Sequence, residues 1–202
     1  LENNPDDTQL LRRAFLTKLA DGDIAAAADM ARVVNQREAT APIAKLVLVV
    51  DAIKRRDLAG AETVLNTFPD RGFSGFMKPL LRGWVIVDQG RGDEAIAALE
   101  PLKSQSGLRV LYELHAALIS DVAAKPEAAV GHFNLATDNA SRATLRVVQG
   151  LGRHYERVGE ADKARALYEA YITENPDSVV LNPAMDRLAR GVRPSPLAAN
   201  AA

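Results

Sequence analysis

Four arginines, Arg142, Arg146, Arg153 and Arg157, recur at steps of four, seven and four residues. On an α-helix that spacing places their side chains along one face. A guanidinium presents a planar fork of donors to a carboxylate or phosphate, so the stripe is a candidate anion-binding surface. The competing reading is a solvated face balanced by nearby Glu156 and Glu160. Other chemistry is harder to find. His115, His132 and His154 lie 17 and 22 residues apart on three different predicted helices, and no pair has the i, i+4 spacing of a helical metal site. Gly150-Leu-Gly152 lacks the third glycine and the preceding strand of a dinucleotide motif and reads as a tight helix contact. No Gly-x-x-x-x-Gly-Lys loop is present, and Ser104, Ser106 and Ser120 have no nucleophile elbow around them. Carboxylates are scattered in helix-facing pairs, without a matched acid and base in an apolar pocket. Arg91-Gly92-Asp93 reads as a turn and helix start, with Asp93 placed where a negative side chain suits a helix N-terminus. The expectation is a protein with no catalytic residues, no metal and no cofactor.

The elements that must position these residues are helices. Alanine is abundant, aromatics make up only 5%, and strand-like alternation is almost absent. Alanine costs little to order in a helix and lets helices approach closely. A net charge of −1 gives no field that would draw the whole chain to nucleic acid. The most apolar stretch, Ile43 to Ile53, is interrupted by Lys45 and Asp51 and is too short to cross a bilayer. Cysteine is absent, so disulfides and thiolate metal sites are excluded.

A long-period repeat organises the chain. The small residue opening the second half of each helical hairpin falls at Ala27, Ala61, Ala95, Ala129 and Ala164, at intervals of 34, 34, 34 and 35 residues. Five residues earlier comes a turn position: Gly22, Arg56, Gly90, Ala124 or Gly159. Twelve residues before the alanine stand Phe15, Val49, Gly83, Ala117 and Gly152, and four after it stand Ala31, Leu65, Leu99, Phe133 and Tyr168. Seven after it stand Val34, Phe68, Leu102, Ala136 and Tyr171. These are the spacings at which side chains of one helix meet a neighbouring helix.

The last unit reads Val148-x2-Leu151-Gly152-x2-Tyr155, then Gly159, Ala164, Tyr168 and Pro176. It resembles the tetratricopeptide repeat family, with only the first aromatic of the family pattern replaced, by Val148. The third unit resembles it through Gly83, Gly90-Arg-Gly-Asp-Glu-Ala95 and Leu99, and the resemblance runs over residues 8–178. It implies an all-α fold: a right-handed superhelix of about five helix-turn-helix repeats plus a short C-terminal helix. First helices are expected near 8–20, 41–55, 76–89, 107–122 and 141–158, and second helices near 23–36, 57–67, 92–103, 125–138 and 160–174. An irregular link is expected from Phe68 to Gly75, and a short extra helix near 183–190 within residues 179–191. Residues 192–202 read as a loose tail. Residues 1–7 resemble the close of a preceding repeat, so the parent protein, a longer bacterial repeat protein on this reading, is expected to continue in both directions.

In such a fold the first helices line the concave side. The groove positions are Ile43, Leu46, Val50 and Ile53 in the second unit, Met77, Leu80, Trp84 and Val87 in the third, and Leu111, Leu114, Leu118 and Asp121 in the fourth. Eleven of these twelve are apolar, which suits an amphipathic helix or extended peptide. The alternative is that a tight superhelix or other parts of the parent protein cover this face. The expected function is therefore a non-enzymatic protein–protein interaction scaffold that binds a partner peptide or helix. The rival is a structural spacer or self-association module within a longer repeat protein. No nucleic acid partner and no membrane insertion of this segment are expected. The Ala- and Arg-rich composition points toward a GC-rich bacterium, and the resemblance to long exported bacterial repeat proteins implies the periplasm or export, with the cytoplasm as the alternative.

Overall fold

Five left-handed residues punctuate the chain at the spacing of the repeat, with φ +76° at Gly22, +61° at Arg56, +79° at Gly90, +56° at Ala124 and +87° at Gly159. Glycine takes this conformation without a Cβ clash, whereas Arg56 and Ala124 do so at a cost of about 1–2 kcal/mol each. They are the only non-glycine residues with positive φ among those described. The turn is therefore imposed by its place in the repeat, even where the local residue resists it.

The computed structural model describes residues 7–38, 41–105, 107–138 and 144–195. Among them the chain is all-helical, with no strand. The helices are α1 (Thr8–Ala20), α2 (Ile24–Arg37), α3 (Pro42–Lys54), α4 (Leu58–Asn66), α5 (Gly72–Asp88), α6 (Gly92–Ala97), α7 (Glu100–Lys103), α8 (Arg109–Val122), α9 (Pro126–Asp138), α10 (Leu145–Val158), α11 (Ala161–Glu174) and α12 (Asn182–Ala189). They form two compact units that divide inside α5, between Val85 and Ile86. In the first unit α1 packs on α2, α2 on α3 and α3 on α4. In the second, α6 and α7 lie on α8, and each later helix packs on the next; α8 also meets α10.

The five aligned alanines, Ala27, Ala61, Ala95, Ala129 and Ala164, are each 0% exposed. The residues four places on, from Ala31 to Tyr168, are also buried, as are Phe15, Val49, Gly83, Ala117 and Gly152 on the facing helices. Local caps sharpen the turns. Asp23 and Asp57 stand one place before α2 and α4, and each accepts a hydrogen bond from a backbone N–H three residues on. Asp7 does the same for α1. Gly159 sits at the C-terminal end of α10, where its N–H returns to the Tyr155 carbonyl.

Two boundaries differ from expectation. The helix expected over 92–103 is two pieces, because Pro101 has no N–H to give the Ala97 carbonyl. The backbone tightens there, with Leu99 N–H bonding Ile96 and Leu102 N–H bonding Leu99. The irregular link expected from Phe68 to Gly75 ends at Arg71, since helical bonding begins with Gly75 N–H to the Arg71 carbonyl. Lys78 secures that start by donating to the Phe68 carbonyl at 3.2 Å and to Asp70 at 2.7 Å. The expectations for residues 1–6 and 196–202 lie outside the described residues.

Candidate functional site

The apolar stripe does not have one character along its length. On α3, Ile43 is 44% exposed and Val50 39%, while Leu46 and Ile53 are half-buried. Ile43 shares a recess of about 70 Å³ with Arg12, Leu16 and Pro42. Leu16 stands 34 residues before Val50, at the same place in the preceding hairpin, and is 40% exposed. On α5, Met77 and Trp84 are half-buried, whereas Leu80 and Val87 are buried. On α8, Leu111 is half-buried, and Leu114 and Leu118 are buried. The cause at Leu118 is a close approach by α10. A Cβ at Gly150 would stand 3.6 Å from the Leu118 side chain and 2.6 Å from Phe133. Gly152 makes the second such contact, where a Cβ would fall 2.2 Å from the Tyr168 ring. Gly150-Leu-Gly152 is thus the tight helix contact its spacing suggests.

The arginines take separate roles. Arg142 lies outside the described residues. Arg146 is exposed. Arg153 lines a cavity of about 170 Å³ with Gln149, Tyr168 and Arg187. Arg157 donates to the Arg153 carbonyl at 3.3 Å and pairs with Asp121.

Asp121, on α8, also accepts the Nδ1–H of His154 at 2.8 Å, and all three side chains are largely buried. Burial pushes the Asp121 carboxyl up, but the hydrogen bond from His154 and the Arg157 guanidinium outweigh it and hold the group below its usual range. Glu156, expected on a solvated face, is buried instead. It accepts from the Tyr168 hydroxyl at 2.8 Å and from Arg187 of α12 at 3.0 and 3.3 Å. Burial, then this hydrogen bond, pushes the Tyr168 phenol up. Glu113, also buried, is met by Arg109 at 2.6 Å and by the His132 Nδ1 at 2.7 Å. The carboxylates are therefore not merely scattered in pairs along helix surfaces: these three bridge between elements. A buried carboxylate survives only when such partners replace its water.

Lys45 is the cationic counterpart. Buried in α3, it donates to the Thr67 carbonyl at 2.8 Å and so caps the end of α4. One signal could have revealed these charges. Lys45 and Glu113 occupy the place held by Leu11 and Val148 in other units, and Asp121 and Glu156 the place held by Leu19, Ile53 and Val87. A charged residue at a place that is apolar in sister repeats must find a partner inside.

No group of three or more His, Asp or Glu side chains arranged to hold a metal occurs among the described residues, and no described helix is long and apolar enough to cross a membrane. No family model, no curated protein and no solved structure matches this chain.

Proposed function

We propose that this chain is a tetratricopeptide-like repeat array, coiled as a right-handed superhelix, whose role is non-enzymatic capture of a partner peptide or helix. Support for the family comes from the 34-residue recurrence of left-handed turns with fully buried alanines. Support for capture comes from one observation: Leu16, Ile43 and Val50 are large apolar side chains left open to water on the first helices of two successive hairpins. Val50 is two helical turns from Ile43 and shares its face. An amphipathic helix laid along that face would bury its own apolar residues against them.

The test is a photoreactive amino acid at position 50, with cross-linking in the source cells. One defined peptide segment should be captured, and Ile43→Glu should abolish the cross-link while leaving helicity unchanged. Diffuse labelling, or a cross-link indifferent to Ile43→Glu, overturns the reading. Leu114→Glu is not a clean test, because Leu114 is buried and the change would destabilise its unit.

A second reading, a spacer or self-association module, is favoured by the burial of Leu80, Val87, Leu114 and Leu118. Those members of the stripe are already used in packing. Under this reading sedimentation finds either an inert monomer or a homodimer that Val50→Glu dissociates.

A further inference from the structure

The turn ends of the last two hairpins border an open recess of about 500 Å³ that shares no residue with the apolar stripe or the arginine stripe. Its walls are apolar at Val130 and Val158, and its polar lining is Glu127, Glu160, His154 and Lys163, with the Tyr155 ring beside them. His154 matters most. The residue is 2% exposed, and its Nδ1 faces a carboxylate held ionised, which can only accept. Nδ1 therefore donates to Asp121, and Nε2 is the ring nitrogen left with no protein partner among the described residues.

The site already holds one ammonium of the chain's own. Lys163 Nζ lies 5.6 Å from the Tyr155 ring centroid and 2.9 Å from Glu160. Attraction of a cation to the face of an aromatic ring is strengthened by a neighbouring carboxylate. Glu127 has no ion-pair partner among the described residues. The lining carries two carboxylates against one ammonium, a deficit of one positive charge.

We infer that this recess is a binding site for a primary ammonium on an aliphatic stem. The head group has three N–H donors, and Glu127, Glu160 and the His154 Nε2 are three acceptors for them. The stem would lie against Val130 and Val158. The same chemistry has two sources, a lysine side chain of a partner protein and a free aliphatic amine.

The test uses the full 202-residue chain. Lys163→Met removes the resident ammonium from an exposed position, and circular dichroism checks that the fold is kept. The probe is n-butylammonium, followed by the imidazole nitrogen signals of His154. Binding to the Lys163→Met protein should be about tenfold tighter than to the wild type, and adding Glu127→Gln should reverse about tenfold. n-Butanol, with the same stem and no charge, should leave the His154 signals unmoved. The inference is overturned if butanol acts as butylammonium does, if Lys163→Met gains nothing, or if Glu127→Gln costs nothing. Nα-acetyl-lysinamide and 1,5-diaminopentane then separate the sources. Tighter binding of the first assigns a protein lysine, tighter binding of the second a free amine, and failure of both sinks the site.

Discussion

Asp121 and Glu156 hold the same place in successive hairpins, eight residues ahead of Ala129 and Ala164, and each closes on a cation from a later helix. Asp121 takes His154 and Arg157 from α10, 33 and 36 residues on. Glu156 takes Arg187 from α12, 31 residues on. The place is apolar in the three earlier units, as Leu19, Ile53 and Val87. At this place the last hairpins are latched by charge, whereas Leu19 and Ile53 pack against the apolar clusters of the first unit.

Arg187→Met should therefore destabilise the second unit by about 3 kcal/mol, because it leaves the buried Glu156 carboxylate with the Tyr168 hydroxyl alone. Adding Glu156→Gln removes the orphaned charge and should restore most of the loss. Urea denaturation of the single and double variants measures both. An additive double variant would show that the pair is not coupled.

Ala124→Gly should raise stability. Ala124 holds φ +56°, where a Cβ costs about 1–2 kcal/mol, and glycine gives back about 0.5–1 kcal/mol through the unfolded chain. The expected net gain of roughly 0.5–1 kcal/mol corresponds to about 1–4 °C in Tm for a chain of this size. Calorimetry checks it, and a lower Tm would contradict the strain argument.

Gly152→Ala should act in the opposite direction. Its Cβ would fall 2.2 Å from the Tyr168 ring, which is itself fully buried and cannot retreat. Overpacking of this kind costs about 3 kcal/mol. Gly22→Ala, where nothing stands within 4 Å, should cost only the backbone strain of about 1–2 kcal/mol. Thermal unfolding of the two variants side by side separates crowding from strain.

Acid should destabilise the fold before its carboxylates protonate. Burial first, then Arg146, pushes His115 down to about 4, so the folded chain keeps the ring neutral. In the unfolded chain the ring takes up a proton below about 6.5. Between these values the unfolded state binds more protons, so stability is full above the window and falls as pH drops through it. The loss from this one group between pH 7 and pH 5 should be about 2 kcal/mol. His115→Gln should flatten the dependence in that range. Asp121 is held below its usual range, so its share of stability is present above about 3.9 and lost only as pH falls below that. Urea titrations at the two pH values decide the matter.

The hairpins were legible in the residues because their determinants are local. A turn residue five places before a small one, with apolar partners at helical spacing, specifies each pair of helices without reference to the rest of the chain. Even the turn at Arg56 was marked by its distance from Ala61 rather than by its own preference. The close contacts at Gly150 and Gly152 were visible for the same reason, since only a missing Cβ lets backbone and ring meet. The fates of Lys45, Glu113, Asp121 and Glu156 were not. A charged residue on a helix reads as solvent-facing until its partner is known, and these partners lie on other helices or at their ends, among them Thr67, His132, Arg157 and Arg187. The apolar stripe divided on the same ground. Ile43 and Leu118 are equivalent to a helical pattern, but only the folded chain brings Gly150 and its helix over Leu118 while leaving Ile43 open. Period and turn chemistry are properties of a segment; burial and charge pairing belong to the packing between segments.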